Sequence, residues 1–409
     1  MRVASIDSLY AWLRLLVSLG IATVGSAGMY AVVVVLPAFQ VDFDIGRGGA
    51  SIPYTMVMAG FGFGGLIVTR IVDRYGIVRP LLACSIALGL SYIQAGLSTN
   101  LVLLSIAHVQ IGAFGCAIVF APLLADISKW FTKRRGLAIA ICACGNYLAG
   151  TLWPPIMQSM LVDIGWRETY FFIGTLSTGL MFPLVFFLNR KPNTSVSPGS
   201  GGSEGSSYDL GLTPNKLAAL LCVAGVACCI AMAMPQVHLV AMCGDRGYGP
   251  AVGAQMLSLM LACGLLSRLG FGWLSDRLGG LMTLLIGSSL QCLALVCFLG
   301  ANSLVSVYAV SMMFGLFQGG IVPSYALVVR EFFPEDQAAG RLGIIILATV
   351  FGMAFGGWIS GAIYDYTGSY QIAFAHGAGW NLVNVAIILM LLVRSGRLKG
   401  PAWGVAQHS

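Results

Sequence analysis

The sequence predicts an all-α membrane protein of twelve transmembrane helices in two pseudo-symmetric six-helix halves. Three observations carry that expectation. Of 409 residues, 58% are hydrophobic and 9% charged, whereas soluble domains average about a quarter charged. Apolar stretches of about 20 residues, the length that crosses a bilayer, recur along the whole chain with short polar turns between them. The chain also repeats itself: at an offset of about 202 residues, loop residues of the first half fall on like residues of the second.

Taken in order, the stretches lie near 12–37, 51–71, 80–98, 101–125, 136–158 and 168–188, then 216–241, 251–274, 280–300, 303–329, 340–362 and 370–393. The first has no signal-cleavage site and is long enough to stay as a span. The second begins after Asp44 and ends in the turn Asp73-Arg74-Tyr75-Gly76. Trp130 to Gly136 closes the fourth and opens the fifth, whose Gly145 and Gly150 allow close helix approach. After the sixth comes NRKPNTSVSPGSGGSEGSSYDLGLTPNK, rich in Gly, Ser and Pro, which reads as a flexible linker. The expected domains are therefore a bundle over 1–190, a linker over 191–215, and a second bundle with a short tail over 216–409. In that second half Asp245 answers Asp44, Asp276-Arg277-Leu278-Gly279 answers the Asp73 turn, Phe333 answers Phe131, and Asp365 answers Asp163. Gly319, Gly320 and Pro323 predict a soft or kinked tenth span.

Charge sets the orientation. With both termini cytoplasmic, eighteen of the 22 basic residues fall on inner segments, and only Arg47, Arg167 and Arg246 fall on outer loops. The net charge of +7 then reflects an anionic inner leaflet rather than nucleic acid. The expected setting is the cell's inner membrane, in the lipid bilayer, as a monomer. Eleven cysteines are scattered without CxxC spacing or a Cys/His cluster, so they read as small buried hydrophobes, and no cofactor or metal is expected.

One residue breaks the apolar pattern. Arg268 lies eight residues before Asp276, roughly 12 Å inside the membrane from the polar end. A central arginine costs about 2.5–3.5 kcal/mol to insert, so it should face a protein interior or cavity and meet a partner. None of the fifteen acids sits mid-span; only Asp126 reaches into the end of an apolar segment. Two readings stay open at this point: Arg268 binds backbone carbonyls of neighbouring helices, or the missing anion is a ligand.

The segment GGLIVTRIVDRYGIVRP (Gly64–Pro80) and its echo GFGWLSDRLGG (Gly270–Gly280) resemble the loop signature of the major facilitator superfamily. The segment WFTKRRGLAIAICACGNYLAGTLWPP (Trp130–Pro155), together with Arg268, Gly272 and Asp276, resembles the monocarboxylate transporter branch, which includes lactate-type and oxalate/formate-type carriers. The resemblance implies the major facilitator fold, alternating access, a substrate carboxylate bound by Arg268, and a proton as co-substrate. It also implies that Asp73, Arg74, Asp276 and Arg277 stabilise one gate state. The chain departs from that branch in two places. Gly264 stands one turn before Arg268, where animal members carry a proton-handling aspartate, and neither the first nor the eleventh span holds a lysine. A single cationic site suits a monocarboxylate such as lactate or pyruvate.

Other polar residues lie at useful depth. Asn146, Gln318, Tyr30 and His108 are candidate substrate contacts, each with interhelical hydrogen bonding as the alternative. Tyr325 is a candidate inner-gate residue, and His238 and His376 read as interfacial. Without an acid at mid-span, a proton would travel on His108, on Asp126, or on the substrate; electroneutral exchange, facilitated diffusion and a non-transporting sensor are the alternatives. No HExxH, GxSxG or paired intramembrane acids point to an enzyme.

Overall fold

The computed structural model describes residues 3–192 and 210–396. The expected linker falls largely on 193–209 and the expected tail largely on 397–409, outside the described residues. Among the described residues, ten helices are long and apolar enough to cross a membrane. They are α1 (Leu9–Phe43), α2 (Arg47–Tyr75), α3 (Val78–Gly96), α4 (Leu101–Ile127), α5 (Arg135–Phe186), α6 (Pro214–Asp245), α7 (Pro250–Gly300), α8 (Leu304–Phe332), α9 (Asp336–Thr367) and α10 (Tyr370–Arg394). Two of these, of 52 and 51 residues, are twice the length a bilayer needs. Each turns back at a glycine with non-helical backbone, Gly165 in α5 and Gly279 in α7. The ten helices thus hold the twelve expected spans.

The repeat is visible in the backbone. Gly76 (φ 74°, ψ 170°) and Gly279 (φ 76°, ψ 172°) close the two Asp-Arg-x-Gly turns in the same conformation, one that only glycine adopts readily. Within the first half, α2 and α4 cross so tightly that a Cβ on Gly60 would come within 2.0 Å of the Val109 carbonyl oxygen, and one on Gly112 within 2.0 Å of that of Val57. Gly112–Ala117 is a π-helical bulge in α4, the local adjustment that such an approach requires.

The basic end of the first half is pinned. Arg14 grips Asp126 through two bonds of 2.7 and 2.9 Å, donates to the Leu188 carbonyl at 2.9 Å, and lies 4.6 Å over the buried Trp130 ring. Val3–Ala4 pairs with Lys191–Pro192 in a short parallel bridge. A cation and its carboxylate removed from water together with a third hydrogen bond satisfy the conditions under which a buried pair is tolerated.

The halves meet along α2 with α9 and along α5 with α7. Near Arg47 these pairs are in contact: the Gly361 and Gly48 positions abut the opposite helix, and Thr55 donates to the Ala354 carbonyl at 2.9 Å. Toward the basic end they part. Added Cβ atoms at Gly65 of α2, at Gly340 and Gly343 of α9, and at Gly272 of α7 would meet nothing within 4 Å. The architecture is a cleft sealed at the Arg47 end and open at the end that carries Asp73 and Asp276.

Candidate functional site

Arg268 sits half-buried on α7 where α5 and α7 begin to separate. Its Nη1 donates to the Ala143 carbonyl of α5 at 2.8 Å, and its Nε approaches the Gly319 carbonyl of α8 at 3.4 Å. The guanidinium lies 4.6 Å over the Tyr147 ring. Its partners are thus two neutral carbonyls and an aromatic face, one set from each half. These replace lost hydration but bring no negative charge, and Nη2 makes no hydrogen bond among the described residues. The carbonyl arrangement left open by the sequence is the one present, and it leaves a donor to spare.

Two further candidates come together beside it. Tyr30, 4% exposed, donates to Asn146 Oδ1 at 2.9 Å, and Gly150 leaves room for the Tyr30 ring between α5 and Leu261 of α7. Gln318, adjacent in sequence to the carbonyl that receives Arg268, accepts from Gln236 Nε2 at 2.6 Å, while its own Nε2 is buried without a partner. Ser267, next to Arg268, has a buried hydroxyl that also lacks one. Tyr147, Gln236 and Ser267 escaped the sequence reading because an aromatic, an amide and a hydroxyl in apolar helices give no periodic signal.

The remaining candidates lie elsewhere. His108 is fully buried in the first half, its Nδ1 2.7 Å from the Leu104 carbonyl and its Nε2 3.0 Å from the Tyr170 hydroxyl, among Phe39 and Trp166. Tyr325 is buried in the second half and donates to Asn384 at 3.0 Å. Asp73, Arg74, Asp276 and Arg277 are exposed at the basic end. They make no ion pair among the described residues, and the arginines stack on Tyr75 and Trp273 of their own helices. An apolar crevice of about 200 Å³ lined by Leu19, Ile141, Cys144, Leu148, Leu265 and Leu269 runs alongside. Its wall is apolar and adjoins Arg268, which Leu265 and Leu269 flank on α7.

The sealed end holds the strongest cross-half contacts. Arg47, 5% exposed, donates through Nη2 to both carboxylate oxygens of Asp245 (3.0 and 2.9 Å) and through Nη1 to the Tyr370 hydroxyl. Asp365 accepts the first amides of α2, from Arg47 at 2.6 Å and Gly48 at 2.7 Å. It caps a helix of the other half, where an anion is favoured. His238, expected at an interface with lipid headgroups, is instead 1% exposed beneath this cluster; its Nε2 is held by the Gly357 carbonyl at 2.8 Å, which draws the ring inward.

Two bundles of six spans meeting over a cleft open at one end define a polytopic membrane transporter. The family model described as Major Facilitator Superfamily matches residues 18–280 and 219–407, and the chain belongs to that superfamily. A monocarboxylate transporter 13 from Bos taurus is 25% identical over 334 residues, covering 80% of this chain and 77% of the relative. The uncharacterized MFS-type transporter YcxA of Bacillus subtilis is 24% identical over 342 residues, covering 81% and 83%. These relatives accord with the monocarboxylate transporter-like branch. The solved structure of a bacterial homologue of the human lysosomal transporter Spinster, inward-facing and unoccupied, has a TM-score of 0.68 at 15% identity and covers 95% of this chain and 96% of that one.

Proposed function

We propose that this transporter moves a small organic anion, a monocarboxylate such as lactate or pyruvate, by alternating access, together with a proton. The observation that carries the reading is Arg268: a cation at mid-membrane depth, at the vertex of the cleft, with neutral partners only and Nη2 unused. A carboxylate there would supply the missing charge and two acceptors in the geometry a guanidinium fits. Asn146, Tyr30 and Gln318 border it as hydrogen-bonding groups. Asp73, Arg74, Asp276 and Arg277 would join across the halves when the basic end closes, and Tyr325 would support that end from within its bundle.

The excess of basic residues at the open end supports reading it as the cytoplasmic one, with both termini inside and the Arg47 cluster outward. The reading is of a monomer in the inner membrane. A second reading, anion exchange or facilitated diffusion without a proton, is favoured by two features: Gly264 stands beside Arg268, and Asp126 is already held by Arg14.

Thermal denaturation of the purified protein with a panel of carboxylates tests the anchor. At least one monocarboxylate should raise the melting temperature of the wild type and leave Arg268→Gln unmoved. A ligand that stabilises both equally would remove Arg268 from the site.

A further inference from the structure

Three histidines fall among the described residues, and His238 is placed as the other two are not. Its Nε2 lies 2.8 Å from the Gly357 carbonyl oxygen of α9. A carbonyl only accepts, so Nε2 carries the hydrogen and the lone pair of the neutral ring is on Nδ1. That nitrogen is buried without a partner among the described residues, as is Nε of Arg47. Gly357 itself packs against Tyr54 of α2, in the other half. Asp245 lies seven residues further along α6, about 10 Å and on the same face. His108, by contrast, has both nitrogens engaged inside one bundle. His376 also has an unpartnered Nδ1 among the described residues, but it is half-buried and accepts through Nε2 from Trp380 of its own helix at 2.9 Å, so its Nδ1 carries the hydrogen and not the lone pair.

We propose that His238 is the proton-carrying residue of the transport cycle, taking a proton on Nδ1 when the Arg47 end is open and losing it when Arg47 returns. The proposal rests on the symport reading above. The charged and titratable groups that face His238 are Arg47 and Tyr54 from α2, Asp245 on its own helix, Asp365 and Tyr364 from α9, and Tyr370 from α10. In the sealed state Arg47 occupies both carboxylates, Asp245 with its guanidinium and Asp365 with its backbone amide. An imidazolium there would meet the Arg47 cation, with Asp245 already ion-paired to it and Asp365, still charged, turned to the α2 amides. Opening this end withdraws α2 and Arg47 together, and leaves both carboxylates on the half that carries His238. A proton on Nδ1 then takes the place of Arg47 as their positive partner. Closure reverses the exchange. With this end sealed, the proton's way out is the cleft open at the basic end, which the anion also uses. One proton and one monocarboxylate thus cross in the same direction, and the charges cancel.

The test uses the whole protein in liposomes with labelled lactate as probe, comparing accumulation driven by a pH gradient, acidic on the Arg47 side, with lactate–lactate counterflow. In the wild type the gradient should drive accumulation. In His238→Gln, whose amide can still donate to Gly357, the ratio of gradient-driven accumulation to counterflow should fall at least tenfold. An unchanged ratio would overturn the role of His238 and leave symport standing; a wild type indifferent to the gradient would overturn symport, and this proposal with it. Should His238→Gln fail to fold, Asp245→Asn supplies a second readout. Removing a carboxylate that stabilises the imidazolium should move the midpoint of the uptake–pH profile down by at least half a unit, and a midpoint that does not move would contradict the proposal.

Discussion

At the scale of single residues, the molecule turns on two arginines that solve the same problem differently. Arg47 is neutralised by Asp245 at the end of the bundle, where two charges share one interface. Arg268 is not neutralised at all, and its donors reach carbonyls of both halves. Replacing Arg268 by lysine keeps the charge but loses the planar fork, so carboxylate uptake in liposomes should drop about 10- to 150-fold, the worth of about 1.5–3 kcal/mol of charge-assisted hydrogen bonding. Asn146→Leu should raise the KM for the anion severalfold while lowering stability by only about 0.6 kcal/mol, the usual yield of an interhelical bond; thermal melting beside uptake kinetics separates the two. Arg268 was legible in the sequence because a lone cation in an apolar run is rare. Its carbonyl partners were not, since every residue has one. His238 was misplaced because its depth counted from the helix end says nothing about which face it occupies.

At the scale of elements, the glycine turns and the pinned loop set where helices end. Gly76 and Gly279 adopt positive φ with extended ψ, so Gly76→Ala or Gly279→Ala should each cost about 1–3 kcal/mol, read as a lowered melting temperature. Gly270→Ala, with nothing within 4 Å of the new methyl, should leave it near wild type. The loop after α4 is tied to the chain's start by Asp7. Its carboxyl is held below its ordinary value chiefly by the Thr132 hydroxyl, with the Thr132 and Lys133 amides adding and desolvation opposing. Because the folded-state value is the depressed one, this tie is fully present above the ordinary carboxylate range and is lost as the pH falls through the depressed value. Thr132→Val should bring the Asp7 titration, followed by carboxyl NMR, back up toward the ordinary range. The twelve spans and the repeat were readable because bilayer length and paired Asp-Arg-x-Gly turns leave a strong pattern. The shared conformation of Gly165 and Gly279, positive φ with extended ψ, was not, since only Gly279 lies in a repeated motif and a lone glycine between two apolar runs does not disclose its backbone angles.

At the scale of the whole molecule, one end is held shut by a cross-half cluster while the helices diverge toward the other. Weakening the cluster should shift that balance. In Arg47→Gln, a cysteine placed at the buried Ser51 should react with a membrane-impermeant maleimide at least tenfold faster than in the parent; equal rates would show that the cluster does not hold that end closed. The sequence repeat matched Asp245 to Asp44 and Asp365 to Asp163 but could not show that Asp245 and Asp365 both act on the other half, because contacts across a pseudo-twofold axis require the two bundles in place. The central claim is that the cleft conducts a carboxylate held by Arg268. Its most direct test is uptake of labelled lactate and pyruvate into liposomes containing the wild type or Arg268→Gln at matched folded amounts. The account predicts saturable uptake by the wild type and loss of at least nine-tenths of it in the variant, whereas equal uptake by both would contradict it.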